Sequence, residues 1–501
     1  MLLLGIDLGT SSVKVSVVDV DTQQCLATVH YPEIEAEIIS LRPGWAEQCP
    51  NKWWENVKHA ILKCHGSGKY NSLDIAAIGI AYQMHGLVLV DKEQQVLRNA
   101  IIWCDSRAVD IGNKAFRHIG EEKCLTHLLN SPGNFTASKL AWVKENERFV
   151  YKRIDKIMLP GDFIAMKLTG HITTSIAALS EGMFWDYKQN ELSKDIFDYY
   201  GFPTSFIPEI KEVFSEHGVV KNSIAGNLGL KRGIPVTYKA GDQPNNALSL
   251  NVFNPGEMAA TAGTSGVIYS VSDQVPYHRA SRVNTFAHVN YTAPSSLENT
   301  VEGIRLGVLL CINGTGIFNR WIKNIAGHSL SYEEMNRKAD WVAAGSEGLI
   351  MLPFGNGAER MLDNHNVKAH IHNLDLNKHT HAHLFRAAQE SVAFAFRHGL
   401  DIMRENKMNA KVIRAAKANM FLSEVFVEAF VHATNTVVEL YDTDGSTGAA
   451  IGAGLGAVIF QSSKEAFGKV KPVSRIEPAA GLYATYENCY HRWKNKLEQN
   501  L

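Results

Sequence analysis

The sequence has 501 residues, of which 45% are hydrophobic and 20% are charged. This composition is typical of globular proteins and excludes a disordered or fibrous chain. The 50 basic and 51 acidic side chains give a formal net charge of −1, whereas a nucleic-acid partner or an acidic membrane would require a basic excess. At about 150 residues per domain, the length predicts two to four domains.

The cysteines and the amino terminus bear on the cellular compartment. The 7 cysteines are scattered and never form a C-x-x-C pair, which favours reduced thiols over a disulfide framework or a zinc site. The first residues lack the basic start and long apolar run of a signal peptide. No apolar run reaches the roughly 18 residues that a membrane span needs. We therefore expect a cytoplasmic protein that contacts no membrane.

The chain begins with a pattern that recurs about half a chain later. Residues 2–7 form a short apolar run, and residues 13–17 alternate between apolar and polar side chains, so two strands are predicted. Residues 257–262 and 267–271 repeat this arrangement around a second turn, which suggests two structurally related halves. The turn residues are Gly9, Thr10 and Ser11 in the first half and Gly263, Thr264 and Ser265 in the second.

Alternating strand and helix signals fill the rest of the chain and predict an α/β architecture. The turn-forming residues Asn254-Pro255-Gly256 predict a domain junction near residues 247–255. This junction divides the chain into domains 1–246 and 247–501. A polar, aromatic segment at 180–208 is expected to be a cover or an insertion. Further strands are predicted at 75–80, 87–91 and 154–159, and helices at 139–147, 332–340, 383–407 and 423–433.

The two Gly-Thr-Ser turns are candidate phosphate-binding loops. Such turns offer backbone N–H groups and hydroxyls to an anion without a bulky side chain in the way. Asp7, at the end of the first predicted strand, could hold a hydrated metal ion through its carboxylate. The alternative is that both segments are ordinary hairpin turns.

A polar cluster follows the apolar strand predicted at 234–238, a place where α/β folds commonly locate binding sites. Asp242 could accept the proton of a substrate hydroxyl, and Gln243 could bind polyol oxygens. The equally weighted alternative is that Asp242 caps a helix that starts near Pro244.

Four further segments carry candidate residues. Met84 and His85 lie between two predicted strands, where the imidazole could bind a sugar hydroxyl, although a lone histidine is more often structural. Trp103 follows another strand and could form a wall of the site. Ala415 and Asn419 precede a helix near a run of small residues, which allows close approach of a flat base or tight helix packing. Six histidines between 365 and 383 are interpreted as a solvated loop and helix start rather than as a metal site.

The order of the motifs resembles that of the FGGY carbohydrate kinases over nearly the whole chain. Met84-His85 resembles the motif of members that phosphorylate xylulose, where relatives that phosphorylate glycerol carry Arg-Glu. The other motifs are Gly5 to Ser12, Gly44-Trp45-Ala46-Glu47-Gln48, Trp103 to Arg107, Lys139 to Trp142, Leu159 to Asp162, Gly241-Asp242, Gly263 to Gly266, Gly357 to Arg360, and Arg386-Ala387 with Glu390.

The resemblance implies two ribonuclease-H-like domains of the actin and sugar-kinase type with a cleft between them. It implies transfer of the γ-phosphate of ATP to the O5 hydroxyl of D-xylulose. On that model Asp242 is the general base and, with Asp7, serves the Mg²⁺ ion. Met84, His85, Gln243 and Trp103 would bind the sugar, and the nucleotide would be bound by Gly9, Thr10, Ser11, Gly263, Thr264, Ser265, Gly314, Ala415 and Asn419.

Two departures from the family pattern leave alternatives open. Arg414-Ala415-Ala416 stands where the family has Gly-Gly, and the added methyl group narrows the approach of the base or ribose. Glu359-Arg360 is followed by Met361-Leu362 in place of Thr-Pro. The alternatives are a kinase of ribulose, glycerol or gluconate, and a non-catalytic sugar sensor on the same fold. The expected partners are the sugar and ATP, and the assembly could be a homodimer.

Overall fold

The computed structural model describes residues 1–274, 282–293 and 303–501. The first half of the chain builds a five-stranded sheet. Its first three strands form an antiparallel meander, and the other two continue the sheet in parallel with the first strand. Across the sheet the strands are Val236–Gly241, Ile75–Tyr82, Leu2–Leu8, Val13–Asp19 and Cys25–Tyr31.

The second half builds a seven-stranded sheet with the same central topology. Three strands form an antiparallel meander, two follow in parallel, and one further strand is added at each edge. The shared topology agrees with the repeat predicted from the two Gly-Thr-Ser turns. Across the sheet the strands are Asn284–Ala287, Leu306–Ile312, Gly266–Ser272, Met258–Ala262, Val412–Ala416, Val437–Tyr441 and Ser474–Ile476.

Helices and short strand pairs surround the two sheets. The pairs are Glu47–Gln48 with Ala100–Ile101, Val88–Val90 with Lys156–Met158, Thr173–Thr174 with Glu209–Ile210, Trp185–Asp186 with Glu191–Leu192, and Ile350–Phe354 with Lys368–His372. The helices of the first half are Pro50–His65, Val109–Ile119, Glu121–His127, Thr136–Asn146, Arg148–Tyr151, Pro160–Thr169, Ile176–Glu181, Lys194–Tyr200, Asn222–Leu228 and Asp242–Ser249. Those of the second half are Gly316–Ala326, Tyr332–Asp340, His381–Glu405, Glu424–Thr434, Gly445–Gly456, Ser463–Ala466 and Ala480–Glu498. Single 3₁₀ turns lie at Ser72–Asp74, Thr204–Phe206, Ser346–Gly348, Arg360–Leu362 and Asn419–Leu422.

The predicted strands and helices are confirmed within a few residues, and the α/β architecture is confirmed. The histidine-rich segment differs from its prediction as a loop, because Lys368–His372 is a strand paired with Ile350–Phe354. This two-stranded ribbon is largely exposed on one edge, so the apolar alternation that normally reveals a strand is absent. In the described residues no group of three or more histidines, cysteines or acids is placed to hold a metal ion. The same part of the chain contains no helix with the length and hydropathy needed to cross a bilayer.

The helix Gly445–Gly456 joins the two halves, because it packs on the five-stranded sheet although it follows the last parallel strand of the other. Its backbone comes unusually close to that sheet. A Cβ atom on Gly5 would lie 1.8 Å from the carbonyl oxygen of Ser446, and one on Gly79 would lie 1.9 Å from that of Ala449. Only glycine permits this approach, so these two positions fix how the halves are joined.

The small residues of this helix serve packing at its other end as well. A Cβ atom on Gly452 would meet the ring of Tyr238 at 2.7 Å, and one on Gly456 would meet the carbonyl oxygen of Thr237 at 1.8 Å. At Gly452 and Gly456 the run of small residues noted in the sequence therefore serves tight helix packing.

We expect Gly5→Ala to destabilise the protein strongly, because a methyl group would collide with the backbone of the Gly445–Gly456 helix. Overpacking of this kind typically costs about 1–3 kcal/mol or more. The matched control is Gly226→Ala, at an exposed helical position where an added Cβ meets nothing within 4 Å. The free energy of unfolding of the control should increase by up to about 1 kcal/mol, because alanine favours a helix more than glycine does. Thermal unfolding measures both, and equal melting temperatures for the two variants would contradict the prediction.

Candidate active site

Two acidic side chains lie at the same edge of the five-stranded sheet. Asp7 is the penultimate residue of its strand, and Asp242 directly follows Val236–Gly241. Both strands flank Ile75–Tyr82 in parallel, and Asp7 and Ala240 pair with the same residue, Ala81. Because parallel strands end at a common edge, residues far apart in sequence converge here.

The charges of these acids are linked. Partial burial and the charge of Asp444 raise the pKa of Asp7 to about 6, against a smaller opposing effect of Lys14. Partial burial and the charge of Asp7 raise the pKa of Asp242 to about 7. Neighbouring carboxylates with raised pKa values form a site suited to a cation or a proton.

The capping interpretation of Asp242 is wrong. The helix begins at Asp242 itself rather than near Pro244, and Gly241 occupies the N-cap position without a side-chain cap. The Asp242 carboxylate therefore stands in the first helical turn, where the helix dipole favours negative charge. There the carboxylate accepts hydrogen bonds from Gln243.

The first Gly-Thr-Ser turn lies directly beside this edge. The Gly9 N–H donates to the carbonyl oxygen of Ser12 at 3.1 Å, which closes the turn. The Thr10 hydroxyl donates to Oε1 of Gln83 at 3.2 Å and accepts from Nε1 of Trp103 at 3.0 Å. The structure thus brings the predicted phosphate loop, with the exposed Ser11 at its tip, next to the predicted sugar-binding Trp103.

Met84 lies against the residue that precedes Asp242. A Cβ atom on Gly241 would be 2.6 Å from Cγ of Met84 and 3.4 Å from Oε1 of Glu181. Gln243 follows Asp242 in the first turn of the helix, and its hydrogen bonds oppose the rise in the pKa of Asp242. Two of the predicted sugar-binding residues, Met84 and Gln243, therefore lie beside the candidate base.

His85 is held in a left-handed backbone conformation, with φ of 61°, by two buried side chains. Its backbone N–H donates to Oε2 of Glu181 at 3.2 Å, and its carbonyl oxygen accepts from Nζ of Lys139 at 2.8 Å. Its ring packs edge-on against Phe135, with centroids 4.8 Å apart. A histidine tolerates this conformation better than most residues, but the surrounding contacts must stabilise it.

These contacts also set the chemistry of the imidazole. Nδ1 of His85 lies 3.1 Å from the carbonyl oxygen of Glu181, so this nitrogen carries the hydrogen. Burial and the charge of Lys139 lower the pKa of His85 to about 3. The ring is therefore neutral at physiological pH, and its Nε2 is an acceptor for a hydroxyl group.

Glu181 is a buried carboxylate that the sequence did not single out. Its Oε1 accepts from the Tyr82 hydroxyl at 2.7 Å. Burial raises its pKa well above the usual range, and the charge of Asp242 adds to this rise. Because Glu181 contacts both the backbone of His85 and the position before Asp242, it ties the candidate sugar residues to the candidate base.

The second Gly-Thr-Ser turn meets the start of the Gly316–Ala326 helix. The Gly316 N–H donates to the Gly263 carbonyl oxygen at 2.9 Å, and the Ile317 N–H donates to that of Thr264 at 3.1 Å. An added Cβ on Gly263 would lie 3.6 Å from Nδ2 of Asn419. The turn, with Ser265 completing it, therefore sits beside the predicted nucleotide residue Asn419.

Gly314 lies two residues before Gly316, and both its backbone N–H and its lack of a side chain serve the fold. Its N–H donates to Oε1 of Glu359 at 3.1 Å, and the N–H of Asn313 donates to Oε2 at 3.0 Å. An added Cβ on Gly314 would lie 1.9 Å from the carbonyl oxygen of Pro353. The methyl group of Ala415 is fully buried in the core of the second sheet, so any nucleotide contact there would involve the backbone.

Asp444 is the other residue that the sequence analysis missed. It follows the strand Val437–Tyr441 and caps the Gly445–Gly456 helix, with its Oδ1 accepting from the Thr447 N–H at 2.9 Å. An added Cβ on Gly445 would lie 2.4 Å from Oδ2 of Asp7. The available signal was an acid after a strand followed by Gly-Ser-Thr-Gly, the same kind of pattern that pointed to Asp7.

Comparison with known proteins places this site in a family. The model of the FGGY carbohydrate kinase N-terminal domain matches residues 2–249, and that of the C-terminal domain matches residues 258–459. The chain belongs to the FGGY family of carbohydrate kinases. The two domains with the actin-like sugar-kinase fold, expected from the motifs, are thereby confirmed.

Relatives of this FGGY kinase match over essentially full length. A protein named xylulose kinase from Haemophilus influenzae is 28% identical, covering 99% of both chains. One from Bacillus subtilis with the same name is 26% identical, covering 98% of this chain and 96% of its own. The solved structure of a xyloylose kinase from Brucella ovis is similar in fold, with a TM-score of 0.87 at 23% identity over 100% of this chain and 99% of its own.

We expect the stability of this kinase to rise with pH between about 7 and 10 through Lys139. Burial lowers the pKa of Lys139 to about 7, whereas an unfolded lysine titrates near 10.4. In this window the unfolded chain binds a proton that the folded chain lacks, which adds up to about 1.4 kcal/mol of stability per pH unit.

Lys139→Met should flatten this rise, while the exposed control Lys52→Met should retain it. Thermal unfolding at pH 7.5, 8.5 and 9.5 measures the slopes, and the comparison concerns slopes rather than absolute stability. Parallel slopes in Lys139→Met and the parent protein would contradict the prediction.

Proposed function

We propose that this kinase transfers the γ-phosphate of ATP to the O5 hydroxyl of D-xylulose. The observation that carries the proposal is the position of Asp242. Its pKa is raised to about 7, in part by the charge of Asp7, and the preceding residue, Gly241, lies against Met84 and Glu181. A base poised near neutral pH beside hydroxyl-binding groups is suited to activating an alcohol.

The sugar-binding groups match a polyol better than a hydrophobic substrate. Nε2 of His85 accepts a hydrogen bond from a hydroxyl, and the thioether of Met84 covers the carbon chain beside it. Gln243 and Trp103 complete the proposed contacts. The full-length relatives named xylulose kinase favour D-xylulose over ribulose, glycerol or gluconate.

The proposed phosphoryl transfer requires little covalent chemistry from the protein itself. The O5 oxygen attacks the γ-phosphorus, the bond to the β–γ bridging oxygen breaks, and the O5 proton passes to Asp242. ADP is the leaving group, so atoms and charge balance without another reactant. Positioning and charge neutralisation supply most of the acceleration in such transfers, with general-base help adding about 10²–10⁴-fold.

The residues present fit a magnesium ion. Mg²⁺ is usually held by one or two carboxylates together with substrate phosphates and water, and Asp7 and Asp242 are two such carboxylates with raised pKa values. When bound, the ion would neutralise charge on the β- and γ-phosphate oxygens. The hairpin turns at Gly9, Thr10 and Ser11 and at Gly263, Thr264 and Ser265 are proposed to hold the phosphates, with Gly314, Ala415 and Asn419 near the nucleoside.

The division of labour between the halves belongs to the same proposal. Residues 1–246 would bind the sugar and residues 247–501 the nucleotide, with the Gly445–Gly456 helix packed across the division. The seven cysteines are unpaired, in keeping with the proposed cytoplasmic location. A homodimer remains a prediction.

Asp242→Asn should reduce kcat by about 10²–10⁴-fold, because the amide cannot accept the O5 proton. The side chain keeps its size, so thermal stability should be retained. A coupled assay of ADP release measures turnover, and calorimetry measures retained binding of ATP. A kcat within a few-fold of the parent value would remove Asp242 from the role of base.

A substrate panel decides between the proposed sugar and the alternatives. We expect ADP release to be fastest with D-xylulose among D-xylulose, D-ribulose, glycerol and gluconate, because the Met84–His85 pair fits the xylulose pattern. Turnover with another polyol but not with xylulose would support the kinase activity and reject xylulose as the substrate. Sugar binding by calorimetry without any phosphorylated product would instead support the non-catalytic sensor.

A further inference from the structure

A second cavity lies on the outer surface of the first half. It has a volume of about 590 Å³, and the residues of the candidate active site are absent from its lining. Four helices form its walls, namely Val109–Ile119, Thr136–Asn146, Arg148–Tyr151 and Lys194–Tyr200. The last helix belongs to the segment that the sequence marked only as a cover.

The cavity is strongly basic. Four cationic side chains line it, Lys114, Lys144, Arg148 and Lys152, against one acidic side chain, Glu145. Lys144 is held in place because its Nζ donates to the carbonyl oxygen of Gly201 at 2.8 Å. The other three cations are exposed, and none takes part in an ion pair within the described residues.

Aromatic side chains supply the rest of the wall. Tyr151, Tyr199 and Tyr200 face the cavity together with Ile111. The Tyr151 hydroxyl is buried and makes no hydrogen bond within the part of the chain that the structure describes. Because its hydroxyl is buried, Tyr151 offers the cavity the apolar part of its ring.

We propose that this cavity binds a small organic phosphate ester. The unpaired cations suit a phosphate dianion, which accepts several charge-assisted hydrogen bonds at once. The tyrosine faces and Ile111 suit the carbon skeleton or ring of the ester. The volume falls within the roughly 300–1,000 Å³ of sites for small organic molecules, so inorganic phosphate alone would leave most of it unfilled. The proposal does not depend on which sugar the kinase phosphorylates.

The test uses the full-length protein with the active-site cleft filled by D-xylulose and a non-hydrolysable ATP analogue. Isothermal titration calorimetry then measures binding of three probes, namely ribose 5-phosphate, AMP and inorganic pyrophosphate. The test variant is Arg148→Gln with Lys152→Gln, and the matched control is Lys231→Gln with Arg232→Gln. The control changes net charge equally at two exposed residues that do not line the cavity.

We expect at least one ester to bind once per chain, with its affinity lowered about tenfold or more by the test variant and nearly unchanged in the control. Loss of charge-assisted contacts worth about 1.4 kcal/mol gives that factor.

Three results would overturn the proposal. One is the absence of binding by either ester at about 1 mM, the affinity range of weak metabolite sites. Another is equal ester binding by the parent, the test variant and the control. The third is binding of pyrophosphate alone, which would reduce the cavity to a general polyanion surface. A kinase that fails to phosphorylate xylulose would leave each of these results equally informative.

Discussion

Two carboxylates held close together at one sheet edge are the constraint on which the rest of the structure depends. Both Asp7 and Asp242 have raised pKa values, and the charge of Asp7 contributes to the rise at Asp242, so a bound divalent cation would offset the repulsion. The parallel strands bring the two residues to the same level. The amino terminus of the helix that starts at Asp242 favours negative charge there. Asp444 adds further negative charge from the other half of the chain, which makes the edge a meeting point of both halves.

The side of the site that is proposed to bind the sugar depends on two buried side chains behind His85. Lys139 and Glu181 hold the backbone of His85 in a conformation that it would rarely adopt alone. The carbonyl oxygen of Glu181 also determines which imidazole nitrogen carries the hydrogen. The helix Thr136–Asn146 that presents Lys139 inward also presents Lys144 to the basic cavity. The specificity of such a loop therefore resides as much in its buried supports as in its exposed atoms.

Much of the fold and part of the site could be predicted from the sequence. Apolar runs bounded by glycine marked the central strands, and the acids at strand ends marked Asp7 and Asp242, because topology alone brings strand ends together. The burial of Ala415 was not predicted, since the residue was expected near the nucleotide and its methyl group lies in the core behind the strand Val412–Ala416. The contribution of Glu181 could not be derived, because the burial of a charge depends on partners distant in the chain. Asp444 carried the same strand-end signal as Asp7 and was overlooked. The start of the helix at Asp242 was missed because a glycine occupies the cap.

The Gly445–Gly456 helix determines whether the two halves of this protein can be produced separately. The boundary between the two family matches falls in a short stretch after residue 249, which invites expression of each portion separately. A fragment that ended there would expose the apolar sheet face that this helix covers, with Gly5 and Gly79 left as an open groove. The remaining fragment would carry an uncovered helix rich in alanine and glycine. The two pieces should therefore be obtained by co-production and reassembly, and neither should behave as an autonomous unit.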